Sequence, residues 1–171
     1  AGSVGINGGN AGGFGAVSNE YLPAPGLPTP PNPVGYSFPV HAFTDVILRG
    51  KEMGREEGVL GLAEGEETLP NSIKFFLNAA GNTLINQHSN VNRTAEILRD
   101  TSLCEFIVTI DPFLTPSAKF SDIVLPACTF HETWGHADNW VLGPSRVLMP
   151  KVIEPLFDLP SDYAIAAMIA D

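Results

Sequence analysis

The sequence predicts an α/β fold built on a parallel sheet, and two observations carry that prediction. The first is the order of patterns between Ile73 and Ile110: a strand, a glycine-containing loop, a helix and a second strand, the length of one βαβ unit. The second is the character of the strands. Phe106-Ile-Val-Thr-Ile110 and Ile123-Val-Leu125 are short, apolar and β-branched, without the polar alternation of a half-solvated sheet, as strands buried on both faces should be.

Taken in order, residues 1–37 read as an irregular arm rich in glycine and proline. The run Gly5-Ile-Asn-Gly8-Gly9-Asn-Ala-Gly12-Gly13-Phe-Gly15 lacks the preceding strand and following helix of a phosphate-binding loop. The prolines from Leu22 to Pro39 remove the donors that a sheet ladder needs. Residues 38–171 then form the folded domain. The spacing predicts a first helix over Val40 to Leu48, with Val40, Phe43 and Ile47 on one stripe and Arg49-Gly50 as its stop. The stretch Lys51 to Thr68 is dense in Gly and Glu, matches no calcium loop, and reads as a solvated, mobile loop.

Ile73 to Asn78 reads as the first strand of the unit. The helix from Val91 to Leu98 has Asn90 as its N-cap and Val91, Ala95 and Leu98 on its apolar face. A right-handed crossover sets the Gly81-Asn82 loop and the loop at Asp111 along one carboxyl edge, where open α/β sheets bind ligands. Gly81 allows close backbone approach, Asn82 offers both a donor and an acceptor, and Asp111 can accept from a ribose or a base amino group. A turn glycine, a capping asparagine and an Asp-Pro turn account for the same residues without a ligand.

Beyond Pro126, His131-Glu132-Thr-Trp-Gly135-His136 departs from the zinc-protease helix motif: its histidines stand five residues apart where the motif needs four, and a glycine interrupts them. Trp140-Val-Leu142 and Arg146-Val-Leu-Met149 suggest a hairpin around Gly143-Pro144. Pro160-Ser-Asp162 opens a last helix to Ala170, with Ile165, Met168 and Ile169 as its apolar face. Cys104 and Cys128 flank predicted strands as buried thiols, and neither has a second ligand at metal spacing. A net charge of −10 with nine Lys and Arg excludes a basic nucleic-acid surface, so an anionic ligand must be held largely by backbone N–H groups. No window has the length of a membrane span. Both ends read as cut, so a piece of a larger protein is expected.

The residues Asp111-Pro-Phe-Leu-Thr115-Pro-Ser117-Ala118-Lys-Phe-Ser-Asp122-Ile-Val-Leu-Pro126, followed by Glu132-Thr-Trp-Gly135 and Asn139, resemble a signature of the molybdopterin oxidoreductases of the dimethyl sulfoxide reductase family. Gly81-Asn82-Thr-Leu-Ile-Asn-Gln-His88-Ser-Asn-Val-Asn92-Arg93 is similar to the dimethyl sulfoxide reductase branch, and Val4 to Gly12 resembles the glycine-rich stretch before this domain. The chain departs from many members at Thr83, where they carry proline, and at Thr133, where some carry lysine.

The resemblance implies a Rossmann-like domain that grips the guanosine end of a molybdopterin guanine dinucleotide. Asp111 would then bind the guanine or its ribose. Gly81 and Asn82 would sit beside the dinucleotide, Ile110 and Thr115 would line the loop, and Glu132 and Asn139 would belong to later cofactor-facing loops. No catalytic residue and no metal ligand is assigned within the chain. The resemblance also implies a parent enzyme of anaerobic respiration, carrying bis(molybdopterin guanine dinucleotide)molybdenum and a 4Fe–4S cluster outside this segment. That parent would reduce dimethyl sulfoxide or a related S- or N-oxide by oxygen-atom transfer. Its partners would be the remainder of the catalytic chain, an iron–sulfur electron-transfer subunit and a membrane-anchor subunit on the periplasmic or extracytoplasmic side. A free-standing nucleotide-binding or structural module without a redox role is the alternative.

Overall fold

A computed structural model describes residues 31–170 apart from 32, 87–89 and 139–145. The glycine-rich start of the arm, His88, Asn139 and the Trp140–Pro144 segment therefore lie outside the described residues. The described chain forms two compact units, one of residues 31–127 with 159–170 and the other of residues 128–138 with 146–158.

The first unit is α/β, as expected. Strands β1 (Phe75–Ala79), β2 (Phe106–Ile110) and β3 (Ile123–Leu125) form a parallel sheet in the order β1-β2-β3. The register aligns Ala79 with Ile110 and Ile110 with Leu125, so the three carboxyl ends finish along one line. Asp122 seats β3: its Oδ2 accepts the Ile107 N–H at 2.7 Å, while its own N–H donates to Ile107 O at 2.8 Å.

Among the described residues four helices accompany the sheet: α1 (Phe43–Arg49), α2 (Thr83–Asn86), α3 (Val91–Arg99) and α4 (Asp162–Ala170). Phe43 and Ile47 of α1, Leu84 of α2, and Ile97 and Leu98 of α3 pack with Cys104 and Ile107 over one sheet face. Residues alternate across a strand, so Val108 and Ile110 face the other way. There Ile110 packs with Ala127 and with Ile165 of α4.

Helix α3 begins where the sequence places it, since Asn90 Oδ1 accepts the Arg93 N–H at 3.2 Å. Its buried face is rotated from the expected one: Thr94, Ile97 and Leu98 are buried and Val91 is exposed. Val40 is likewise exposed, because it lies in a 3-10 turn (Val40–Ala42) that precedes α1 and not in the helix. In α4 only Ile165 is buried, while Met168 and Ile169 edge a cleft with Leu125, Pro126, Leu159 and Pro160.

The stretch after α1 differs most from expectation. Lys51 to Thr68 is built as packed structure, not as a solvated loop. Met53, Val59, Leu62 and Leu69 are buried with Ala42 and Val46, so α1 serves two cores at once. Glu57 Oε2 accepts the Gly54 N–H at 2.8 Å and closes a 3-10 turn at Arg55–Glu57. The Arg55 guanidinium donates to the carbonyls of Leu62, Ala63 and Glu66. Glu66 accepts from Tyr36 Oη and from the Ala63 N–H, both at 2.8 Å, and these bonds hold its carboxyl below the ordinary glutamate range, the Ala63 bond contributing most. Gly61 has φ 81°, and a Cβ there would sit 1.9 Å from Gly35 O, so no other residue fits.

The second unit holds strands β4 (Gly135–Asp138) and β5 (Arg146–Met149), paired antiparallel. Among the described residues the partner of Arg146–Met149 is Gly135–Asp138, and the Trp140–Leu142 strand that the sequence suggested lies outside them. His136, considered above as a helical zinc ligand, lies in β4.

Candidate functional site

The carboxyl edge of the parallel sheet brings together five of the expected residues: Gly81, Asn82, Ile110, Asp111 and Thr115. The first loop leaves β1 through Ala80, whose N–H donates to Ile110 O at 2.8 Å. Ala80, not Gly81, takes the left-handed conformation, with φ 52°. A non-glycine residue held there stores strain, and such residues concentrate at ligand edges. Gly81 contributes differently: its carbonyl accepts from Asn78 Nδ2 at 2.9 Å, and a Cβ on it would stand 3.2 Å from Thr83 Oγ1. Asn82 Oδ1 accepts the Ser117 N–H at 2.9 Å, joining the two loops.

The second loop begins at Asp111, whose N–H donates to Leu125 O at 3.3 Å. Its carboxylate is buried, 6% exposed, and Oδ1 accepts the Phe113 N–H at 2.8 Å. The turn anticipated for Asp111-Pro112 is thus present. It uses one oxygen only, and Oδ2 has no hydrogen bond among the described residues. A buried carboxylate oxygen left without a donor is costly, so this position is one that a bound donor would satisfy. Phe113 and Leu114 stand exposed at the tip of the loop. Thr115 Oγ1 accepts the Ala118 N–H at 3.1 Å, the first N–H of the 3-10 turn Ala118–Phe120. Ile110 contributes backbone to the edge, since its side chain is in the core.

Beneath the edge lies a buried polar chain that the sequence gives no means of connecting. Asn78 Nδ2 donates to Thr109 Oγ1 at 3.3 Å as well as to Gly81 O, and Thr109 Oγ1 shares a 2.6 Å hydrogen bond with Ser121 Oγ. It ties the first loop to β2 and to the approach to β3.

Glu132 belongs to the second unit. Its carboxylate is also 6% exposed, but Oε2 accepts from the Thr129 N–H (2.7 Å) and hydroxyl (2.8 Å), and Oε1 from the Leu156 N–H (2.6 Å). These bonds, the Leu156 one foremost, hold its carboxyl below the ordinary glutamate range. Asn139 lies outside the described residues.

Cys104 and Cys128 are both buried, and burial raises the Cys104 thiol. Among the described residues no three His, Cys, Asp or Glu side chains gather as a metal site, and no helix is long and apolar enough to cross a membrane.

A buried acid and an asparagine amide, each with one polar atom uncommitted among the described residues, thus lie on the two loops at the carboxyl edge of a parallel sheet, the edge where open α/β sheets bind ligands. Residues 1–171 match the molybdopterin oxidoreductase family model, and the chain belongs to that family. It is 42% identical to dimethyl sulfoxide reductase DmsA of Escherichia coli K12, over 99% of this chain and 20% of that protein. With dimethyl sulfoxide reductase DmsA of Haemophilus influenzae it is 40% identical over 95% of this chain and 21% of that protein. The chain thus spans about a fifth of the length of these relatives. Acetylene hydratase from Pelobacter acetylenicus aligns over 75% of this chain and 15% of its own, with 22% identity and a TM-score of 0.49.

Proposed function

We propose that this chain supplies the edge that holds the guanosine end of a molybdopterin guanine dinucleotide in a molybdenum reductase of the dimethyl sulfoxide type. The observation that carries the reading is the buried Asp111 carboxylate, whose Oδ2 has no partner among the described residues. Guanine presents adjacent N1–H and amino donors. Oδ2 is open and Oδ1 keeps a second lone pair, so the carboxylate accepts both as charge-assisted hydrogen bonds. Adenine offers no such donor pair, which makes the acid a discriminator between bases. Asn82 lies on the neighbouring loop, and Gly81, Ile110 and Thr115 shape the two loops through their backbone and side-chain bonds. Glu132 acts in this reading by fixing the Thr129–Leu156 connection.

The molybdenum and its dithiolene ligands supply the oxygen-atom transfer when bound; the chain's own residues bind and orient the remote end of the group. Family membership and the two relatives support a parent that reduces dimethyl sulfoxide or a related S- or N-oxide. In the same reading residues 38–171 are an incomplete Rossmann-like domain, into which residues 128–158 are inserted between β3 and α4. The parent then carries a 4Fe–4S cluster and works with an iron–sulfur subunit and a membrane anchor on the extracytoplasmic side. The test is Asp111→Ala in the full-length subunit: molybdenum and guanine nucleotide per polypeptide fall together after purification. Wild-type content of both would overturn the reading.

A further inference from the structure

The two loops at the sheet edge exchange capping groups. The carbonyl of Asn82 accepts the Asn86 N–H at 3.2 Å, which makes Asn82 the N-cap of α2. An asparagine in that position ordinarily turns its side-chain oxygen to the second or third N–H of its own helix. Here Asn82 Oδ1 instead accepts the N–H of Ser117, and the third N–H of α2, that of Ile85, donates to Ser117 Oγ at 3.1 Å. Ser117 is 0% exposed and Ile85 is buried, so solvent has no access to replace these partners.

The exchange fixes the chemistry of Asn82. A backbone N–H can be met only by the amide oxygen, so the carboxamide cannot flip without losing the Ser117 bond. With Oδ1 committed, Nδ2 has no hydrogen bond among the described residues. Asp111 is the mirror case, an acceptor with one oxygen committed and one open.

We propose that Ser117 is a positioning residue and that Asn82 is a donor-only contact of the ligand edge, selecting an acceptor oxygen on the bound dinucleotide where Asp111 selects donors. The inference rests on the dinucleotide reading and adds the polarity of the second contact. Asn82→Asp separates donor from clip, because aspartate still accepts the Ser117 N–H but presents an anionic oxygen in place of Nδ2. Ser117→Ala removes the cap on Ile85, and Ser117→Thr restores a hydroxyl.

In the full-length subunit, Asn82→Asp lowers guanine nucleotide per polypeptide on the order of ten- to a hundredfold while leaving the limited-proteolysis pattern of the cofactor-free protein unchanged. Ser117→Ala lowers nucleotide content and speeds cleavage near residues 80–86, and Ser117→Thr recovers both. Full nucleotide in Asn82→Asp, or wild-type behaviour of Ser117→Ala, overturns the proposal. Asp111→Ala in the same series separates the two failures. If it loses nucleotide and Asn82→Asp does not, only the donor assignment falls; if Asp111→Ala retains nucleotide, the dinucleotide reading falls and this inference with it.

Discussion

Asp111 and Glu132 are equally buried acids in different units, each 6% exposed, and they are used in opposite ways. Among the described residues, Glu132 places both oxygens on three protein donors, and Asp111 receives one donor on one oxygen. Burial alone therefore does not separate a structural carboxylate from a ligand carboxylate. The count of donors already supplied by the chain does, because a satisfied acid has nothing left to offer and an unsatisfied one is an energetic debt until something binds.

The largest effect expected from this contrast is local opening on loss of Glu132. Glu132→Ala leaves the Thr129 and Leu156 N–H groups without acceptors and should speed proteolytic cleavage within residues 128–158 on the order of a hundredfold. The pH dependence has a definite sign. The folded carboxyl lies below the ordinary value of 4.5, so its stabilisation is fully present above that value and is lost as pH falls through the depressed folded value. Cleavage of this segment should therefore accelerate as pH is lowered below about 4.5, and Glu132→Gln should flatten the dependence. The corresponding loss at the sheet edge is smaller. Thr109→Val removes the hydroxyl that meets both Asn78 and Ser121, and about 1–3 kcal/mol of stability should go with it in denaturant unfolding. The smallest effect has the opposite direction: Ala80→Gly relieves a left-handed alanine and should raise stability by about 0.5–1 kcal/mol in the same measurement.

The elements that were legible in the sequence are those whose signal is local and periodic. The β-branched run Phe106–Ile110 became β2 to the residue, Asn90 capped α3 as read, and the order around Gly81 produced the parallel pair β1-β2. Apolar residues without a period were not legible. Met53, Val59, Leu62 and Leu69 are scattered among Gly and Glu, so their shared core with α1 left no pattern to read. First-turn residues misled for a related reason: Val40 and Val91 continue an apolar spacing but stand before or at the start of their helices, turned away from the core.

At the site, the residue types at the edge were readable while their hydrogen bonding was not. Gly81 reads as a turn glycine or a point of close backbone approach, yet the left-handed residue of the loop is Ala80, whose N–H reaches Ile110 O as β1 ends. Ser117 lay within the family-like segment without a role, since its partners Asn82 and Ile85 are 35 and 32 residues away and only the folded loops bring them together.

The central claim is that the open oxygen of Asp111 is an acceptor for guanine, and Asp111→Asn in the full-length subunit tests it most directly. Asparagine keeps an oxygen for the Phe113 N–H and so preserves the turn, but replaces Oδ2 with a donor that confronts guanine's own donors. Guanine nucleotide per polypeptide should fall on the order of ten- to a hundredfold with the proteolysis pattern of residues 111–120 unchanged. Nucleotide content equal to wild type in that variant would contradict the account.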